Sequence, residues 1–134
     1  MQERSPHTVV GIGVVAPGLL DRQAGAIVSA ANYGWRDIPL AESLEQTFGV
    51  PSWIENDVNA AALGERCAGA GRGLDNFAYV LVDRAVGAGL LVDRRLALGT
   101  LGNAGEFGHV TIDWDGDVRA GDVDALNSLF AGLL

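Results

Sequence analysis

The sequence contains no lysine. Its nine basic residues are all arginine, set against seventeen aspartates and glutamates, for a net charge of -8 and a pI near 4.5. No basic run or patch interrupts that balance. An acidic chain repels a phosphate backbone, so direct nucleic-acid contact by this chain is not expected. The single cysteine, Cys67, excludes an internal disulfide and a cysteine-based zinc site. It sits among small residues (AALGERCAGA) and reads as a buried structural thiol. No apolar run reaches the roughly 18 residues that span a bilayer, so no membrane association is expected. The first residues, MQERSPH, are polar and lack the apolar segment of a secretion signal, which points to the cytoplasm.

What is present is the composition of one globular domain: 134 residues, 49% hydrophobic and 19% charged. A domain of this size buries a smaller share of its surface than a large one, so a missing element would be costly. Residues 8–16 are β-branched and apolar and read as a buried strand, closed by a turn at Pro17 and Gly18. Residues 26–30 form a second apolar run, and 32–37 read as a loop. Pro39 opens a helix carrying Leu40, Leu44 and Phe48, and Gly49 stops it. A short strand over 50–55 leads to a helix that Asn56 or Asp57 can cap and that residues 69–73 end. Residues 77–82 and 87–92 read as a hairpin. A small-residue loop (98–105) and one more strand (107–112) follow. From Asp113 the chain is rich in Asp and Gly, with a short helix expected over 126–134. Strands mixed with helices give an α/β fold. The expected division is a region over 1–112 and a divergent acidic tail over 113–134.

Two clusters carry chemistry. In the first, Asn56 and Asp57 stand where a strand ends and a helix begins, the position at which open α/β sheets bind ligands. A carboxylate there can take a proton from a hydroxyl, and an amide both donates and accepts. The same residues also serve as a plain helix cap. In the second, Glu106 and His109 lie three residues apart among Gly102, Gly105 and Gly108. Small neighbours admit a ligand to the backbone, and a carboxylate with an imidazole can grip hydroxyls. A solvated turn would look the same.

Together PGLLD, ANYGW, ENDVNAAALGE and VGAGLLVDRRLALGTLGNAGEFGHVTID, in this order over about residues 8–113, resemble the ROK family of sugar kinases and sugar-responsive repressors. The resemblance implies a partial form of the two-lobed actin-like, ribonuclease-H-like fold, with sugar bound in a cleft. By it, Asp57 matches the catalytic base, relevant only in a kinase. Asn56, Asp57, Glu106 and His109 match sugar ligands, and Gly18 and Asn32 fall in sugar-pocket loops.

The departures from the family bear on activity. The family's D-x-G-G-T phosphate motif is not found. Asp83, Arg84 and Ala85 stand where kinases have G-T-G, leaving Gly87 and Gly89 as a degenerate phosphate loop and setting a carboxylate against a polyphosphate. The cysteine cluster that holds the family's zinc with His109 is replaced by DWDGDVRAGDVDAL, so no structural zinc is expected. Asp113, Asp115, Asp117 and Asp124 fall at calcium-loop spacings. Val118 takes the place of the turn glycine and Asp124 that of the bidentate Glu, so no metal is expected there either. The expectation is therefore a piece of a regulator without its DNA-binding domain that binds a hexose or amino sugar and uses no cofactor. The alternatives are a glucokinase-like kinase remnant needing ATP and Mg, and a non-functional fragment. A homo-oligomer could cover the surface that missing parts would cover.

Overall fold

The computed structural model describes residues 8–82, 86–100, 102 and 104–110. The chain divides into two compact units, Met1–Asn56 and Asp57–Leu134. The α/β expectation holds in both. The tail boundary at residue 113, the hairpin tip Asp83, Arg84 and Ala85, Asn103, the aspartates from Asp113 onward and the terminal helix over 126–134 lie outside the described residues.

The first unit is built on β1 (Ile12–Ala16), which pairs in parallel with β5 (Ser52–Asn56), running from Ile12 opposite Ser52 to Ala16 opposite Asn56. Parallel neighbours need a long crossover. Here it consists of β2 (Leu19–Asp21), β3 (Ala26–Ala30) and β4 (Trp35–Ile38), an antiparallel sheet in the order β2-β3-β4, followed by helix α1 (Leu40–Phe48). Ala16, Leu20, Ile27, Ala30, Ala41 and Ile54 form the core. Among the described residues of this unit Ile27 is the one large side chain sealed from solvent, at 1% exposure, and burying such a residue contributes roughly 1.5–3 kcal/mol. The amide of Ala41 donates to the Gly25 carbonyl (2.9 Å), fixing the start of α1. The amide of Gly49 donates to the Glu45 carbonyl (2.8 Å) at its end. Glu45 then accepts the Ser52 amide (2.8 Å) and ties α1 to β5.

In the second unit α2 (Asp57–Ala68) packs on β6 (Phe77–Val82) and β7 (Val86–Val92). β6 and β7 form the expected hairpin, from Phe77 opposite Leu91 to Val82 opposite Val86, and β8 (Arg95–Leu96) adds a short edge. Asp57 in the first turn of α2 and Arg66 in the last suit the helix dipole. The buried face of α2 is Val58, Asn59 and Ala62.

Four expectations need correction. The strand over 8–16 begins only at Ile12 and is not buried throughout. Its side chains alternate, and Val15 points to solvent on the same face as Gly13, where a Cβ would meet nothing within 4 Å. The loop over 32–37 instead contains a 3-10 turn (Ala31–Tyr33) and β4, which exists because β3 offers it a ladder from Ile27 to Ala30. The strand begun at Phe107 is a 3-10 turn (Phe107–His109), and residues 111 and 112 lie outside the described residues. Cys67 is exposed, not buried. It lies nine residues past Val58, which at 3.6 residues per turn is about two and a half turns, on the opposite side of α2. No helix among the described residues is long and apolar enough to cross a membrane.

Candidate functional site

In the first unit two of the candidate residues, Gly18 and Asn56, meet at the C-terminal end of β5. Gly18, two residues past the end of β1, has φ +85, and a Cβ there would run into the Ser29 carbonyl and lie 2.9 Å from Cα and Cβ of Ala30. Its carbonyl therefore sits against the end of β3, where it accepts the side-chain amide of Asn56 at 3.3 Å. Asn32 follows in the exposed 3-10 turn that continues from Ala30. Gly18 and Asn56 are thus in contact, and Asn32 lies two residues beyond the alanine on which Gly18 packs.

One participant carried no sequence signal. Glu55 accepts the Asn56 backbone amide with Oε1 (3.0 Å), while its Oε2 lies 2.6 Å from the Arg22 guanidinium. Arg22 is held by an Asx turn in which Asp21 Oδ1 accepts the amides of Gln23 (3.0 Å) and Ala24 (2.9 Å). An ion pair between residues 33 positions apart leaves no local pattern; only the fold brings them together.

In the second unit Asp57 is half-buried at the start of α2, and its Oδ1 accepts the Val58 amide (2.9 Å). Glu106 and His109 are placed by Gly105. The Ala88 amide in β7 donates to the Gly105 carbonyl (2.8 Å), and Gly105 has φ +93 with the Ala88 carbonyl where a Cβ would stand. The Phe107 amide then donates back to Gly105 (2.6 Å) and the His109 amide to Glu106 (3.2 Å). In a 3-10 turn residues i and i+3 eclipse, so Glu106 and His109 share one side, with Oε2 and Nε2 3.6 Å apart. Both are more than half exposed, so the pair adds little stability and the turn relies on its backbone bonds.

Gly87 and Gly89 have a packing role. A Cβ on Gly87 would come within 3.1 Å of the Val58 side chain, and one on Gly89 within 2.5 Å of the Val58 carbonyl and 2.7 Å of Ala62 Cβ. These glycines let α2 approach β7. They offer no open cradle on that side. Among the described residues no three His, Cys, Asp or Glu side chains gather as a metal-binding group; Glu106 lies beside His109, and the segment from residue 111 onward lies outside the described residues.

Known proteins resemble this chain in sequence and in fold. Over 113 residues the chain is 42% identical to the xylose repressor of Bacillus subtilis, covering 84% of this chain and 29% of the repressor. It is 40% identical over 109 residues to a glucokinase of Halalkalibacterium halodurans, covering 81% of this chain and 33% of that enzyme. The structure of a ROK family glucokinase from Streptomyces griseus, in complex with glucose and AMPPNP, superposes with a TM-score of 0.75 at 36% identity. The match covers 87% of this chain and 37% of the glucokinase. The chain thus spans about a third of the length of these relatives, and its α/β fold is part of their actin-like fold. The ROK family model matches residues 1–123, and the chain belongs to the ROK family.

Proposed function

We propose that the chain is the sugar-binding part of a ROK-type transcriptional regulator, in which Asn56, Asp57, Glu106 and His109 hydrogen-bond the hydroxyls of a hexose or pentose. Gly18 supports Asn56 from behind, and Asn32 contributes from the neighbouring turn. The observation that carries this reading is the Asn56 side chain held on the Gly18 carbonyl at the C-terminal end of β5, followed directly by Asp57 at the start of α2. Strand C-terminal ends are where α/β folds bind ligands. The 42% identity to a xylose repressor supports a pentose or hexose as the ligand.

A kinase remnant is the second reading, favoured by the presence of Asp57 and by the 40% identity to a glucokinase. In that case the Asp57 carboxylate would take the proton of the attacking sugar hydroxyl. Thermal unfolding separates the two. The chain is melted with millimolar xylose, glucose, fructose, N-acetylglucosamine or N-acetylmannosamine, each with and without Mg-ATP. A ligand that binds only the native state at 100 times its Kd stabilises it by about 2.7 kcal/mol. The expected result is a raised midpoint with one sugar, unchanged by Mg-ATP, and no release of ADP. A further rise with Mg-ATP supports the kinase reading, and no shift with any sugar contradicts both.

A further inference from the structure

We propose that Arg22 is a positioning residue for the sugar site, acting on Asn56 through Glu55. The inference rests on the reading of Asn56 as a sugar ligand and adds a residue from outside the family-like site motifs. The links are short and continuous within one unit. The Arg22 guanidinium lies 2.6 Å from Glu55 Oε2, Glu55 Oε1 accepts the Asn56 amide at 3.0 Å, and the Asn56 side chain donates to Gly18 at 3.3 Å. Both oxygens of one carboxylate are therefore committed, one to the β2–β3 turn and one to the residue that would meet the ligand.

Burial makes the link directional. The Glu55 side chain is only 16% exposed, against 39% for Arg22. Removing the cation leaves a partly buried carboxylate uncompensated and weakens its hold on the Asn56 amide. A shift of that carboxylate moves Oε1 away from the backbone amide of Asn56, the residue whose side chain is held on the Gly18 carbonyl. The Asx turn at Asp21 fixes the backbone on either side of Arg22, so the guanidinium is presented by a shaped turn. An arginine suits this position because its planar head meets a carboxylate in a defined geometry.

The test uses the full chain with Arg22→Gln and Arg22→Lys, read in two ways. Without ligand, amide hydrogen exchange at Asn56 is followed by NMR against Ile27 and Ile54 as core references. With the sugar that stabilises the unmodified chain, the Kd is measured by calorimetry. Arg22→Gln is expected to speed Asn56 exchange by about tenfold while Ile27 and Ile54 keep their protection, and to raise the Kd by about three- to tenfold. Arg22→Lys, which keeps the charge, is expected to recover most of both effects. A structural role alone would instead loosen Ile27 and Ile54 along with Asn56. An Asn56 amide unmoved in Arg22→Gln overturns the proposal whatever the sugar does. An Asn56 amide that responds in a chain binding none of the sugars upholds the positioning role and overturns the reading of Asn56 as a ligand.

Discussion

Gly105→Ala is expected to cost about 3 kcal/mol or more and to lower the melting temperature by about 10 °C. Two effects add. An L-residue at φ +93 is strained by roughly 1 kcal/mol or more, and the new Cβ would point into the Ala88 carbonyl, a backbone atom held in β7 that cannot rotate away. The loop must therefore lift, and lifting breaks the Ala88–Gly105 backbone bond that seats the Glu106–His109 turn. Gly34→Ala is the control. It has a similar positive φ of +66, with nothing within 4 Å of its would-be Cβ, so it should lose only the strain of about 1 kcal/mol. Circular-dichroism melts of the two variants separate clash from strain. Equal losses would mean that Gly105 is not pressed on β7.

Gly18→Ala is the second large effect, and it should strike stability and binding together. The Cβ would meet the Ser29 carbonyl and lie 2.9 Å from both Cα and Cβ of Ala30, a core residue at 3% exposure. With φ +85 added, a loss of about 3 kcal/mol is expected. Relief requires the Gly18 peptide to move from the end of β3, taking with it the carbonyl that accepts the Asn56 side chain. Sugar affinity should then fall about tenfold in the fraction that remains folded, as calorimetry well below the melting temperature would read. Full affinity in a destabilised Gly18→Ala chain would separate Gly18 from the site.

The parts of the fold that were readable were those with strong punctuation. Pro39 and Gly49 bracket α1, the strand-to-helix step at Asn56 and Asp57 marks α2, and two apolar runs with a charged tip mark β6 and β7. β4 was not readable because Arg36 and Asp37 break its apolar pattern; it forms because β3 supplies partners, a tertiary effect outweighing local preference. β8 was hidden by its turn. Asp93 and Arg94 both take positive φ (+48 and +66), a conformation whose usual sequence signal is Asn-Gly or Asp-Gly. The turn is held from outside, by Asn76 accepting the Asp93 amide and the Asp75 carbonyl accepting the Arg94 amide, both at 2.8 Å. Cys67 was misread because a run of small residues says nothing of which side of a helix faces the sheet. Asn56, Asp57, Glu106 and His109 stood out as candidates by residue type together with the family resemblance, whereas the Arg22–Glu55 pair became visible only once β1 and β5 were paired and the β2–β3 turn was in place.

Recognition of a sugar by this chain is proposed to involve Asn56, at the end of β5, and Glu106, in the turn anchored on β7. It is tested most directly by calorimetric titration of the unmodified chain, Asn56→Ala and Glu106→Ala with whichever of xylose or glucose stabilises the protein. The account predicts one binding event in the unmodified chain. It predicts a loss of about tenfold in Asn56→Ala and of about 10- to 100-fold in Glu106→Ala, where a charged acceptor is removed, with melting temperatures nearly unchanged. Sugar binding of undiminished affinity in both variants would contradict it.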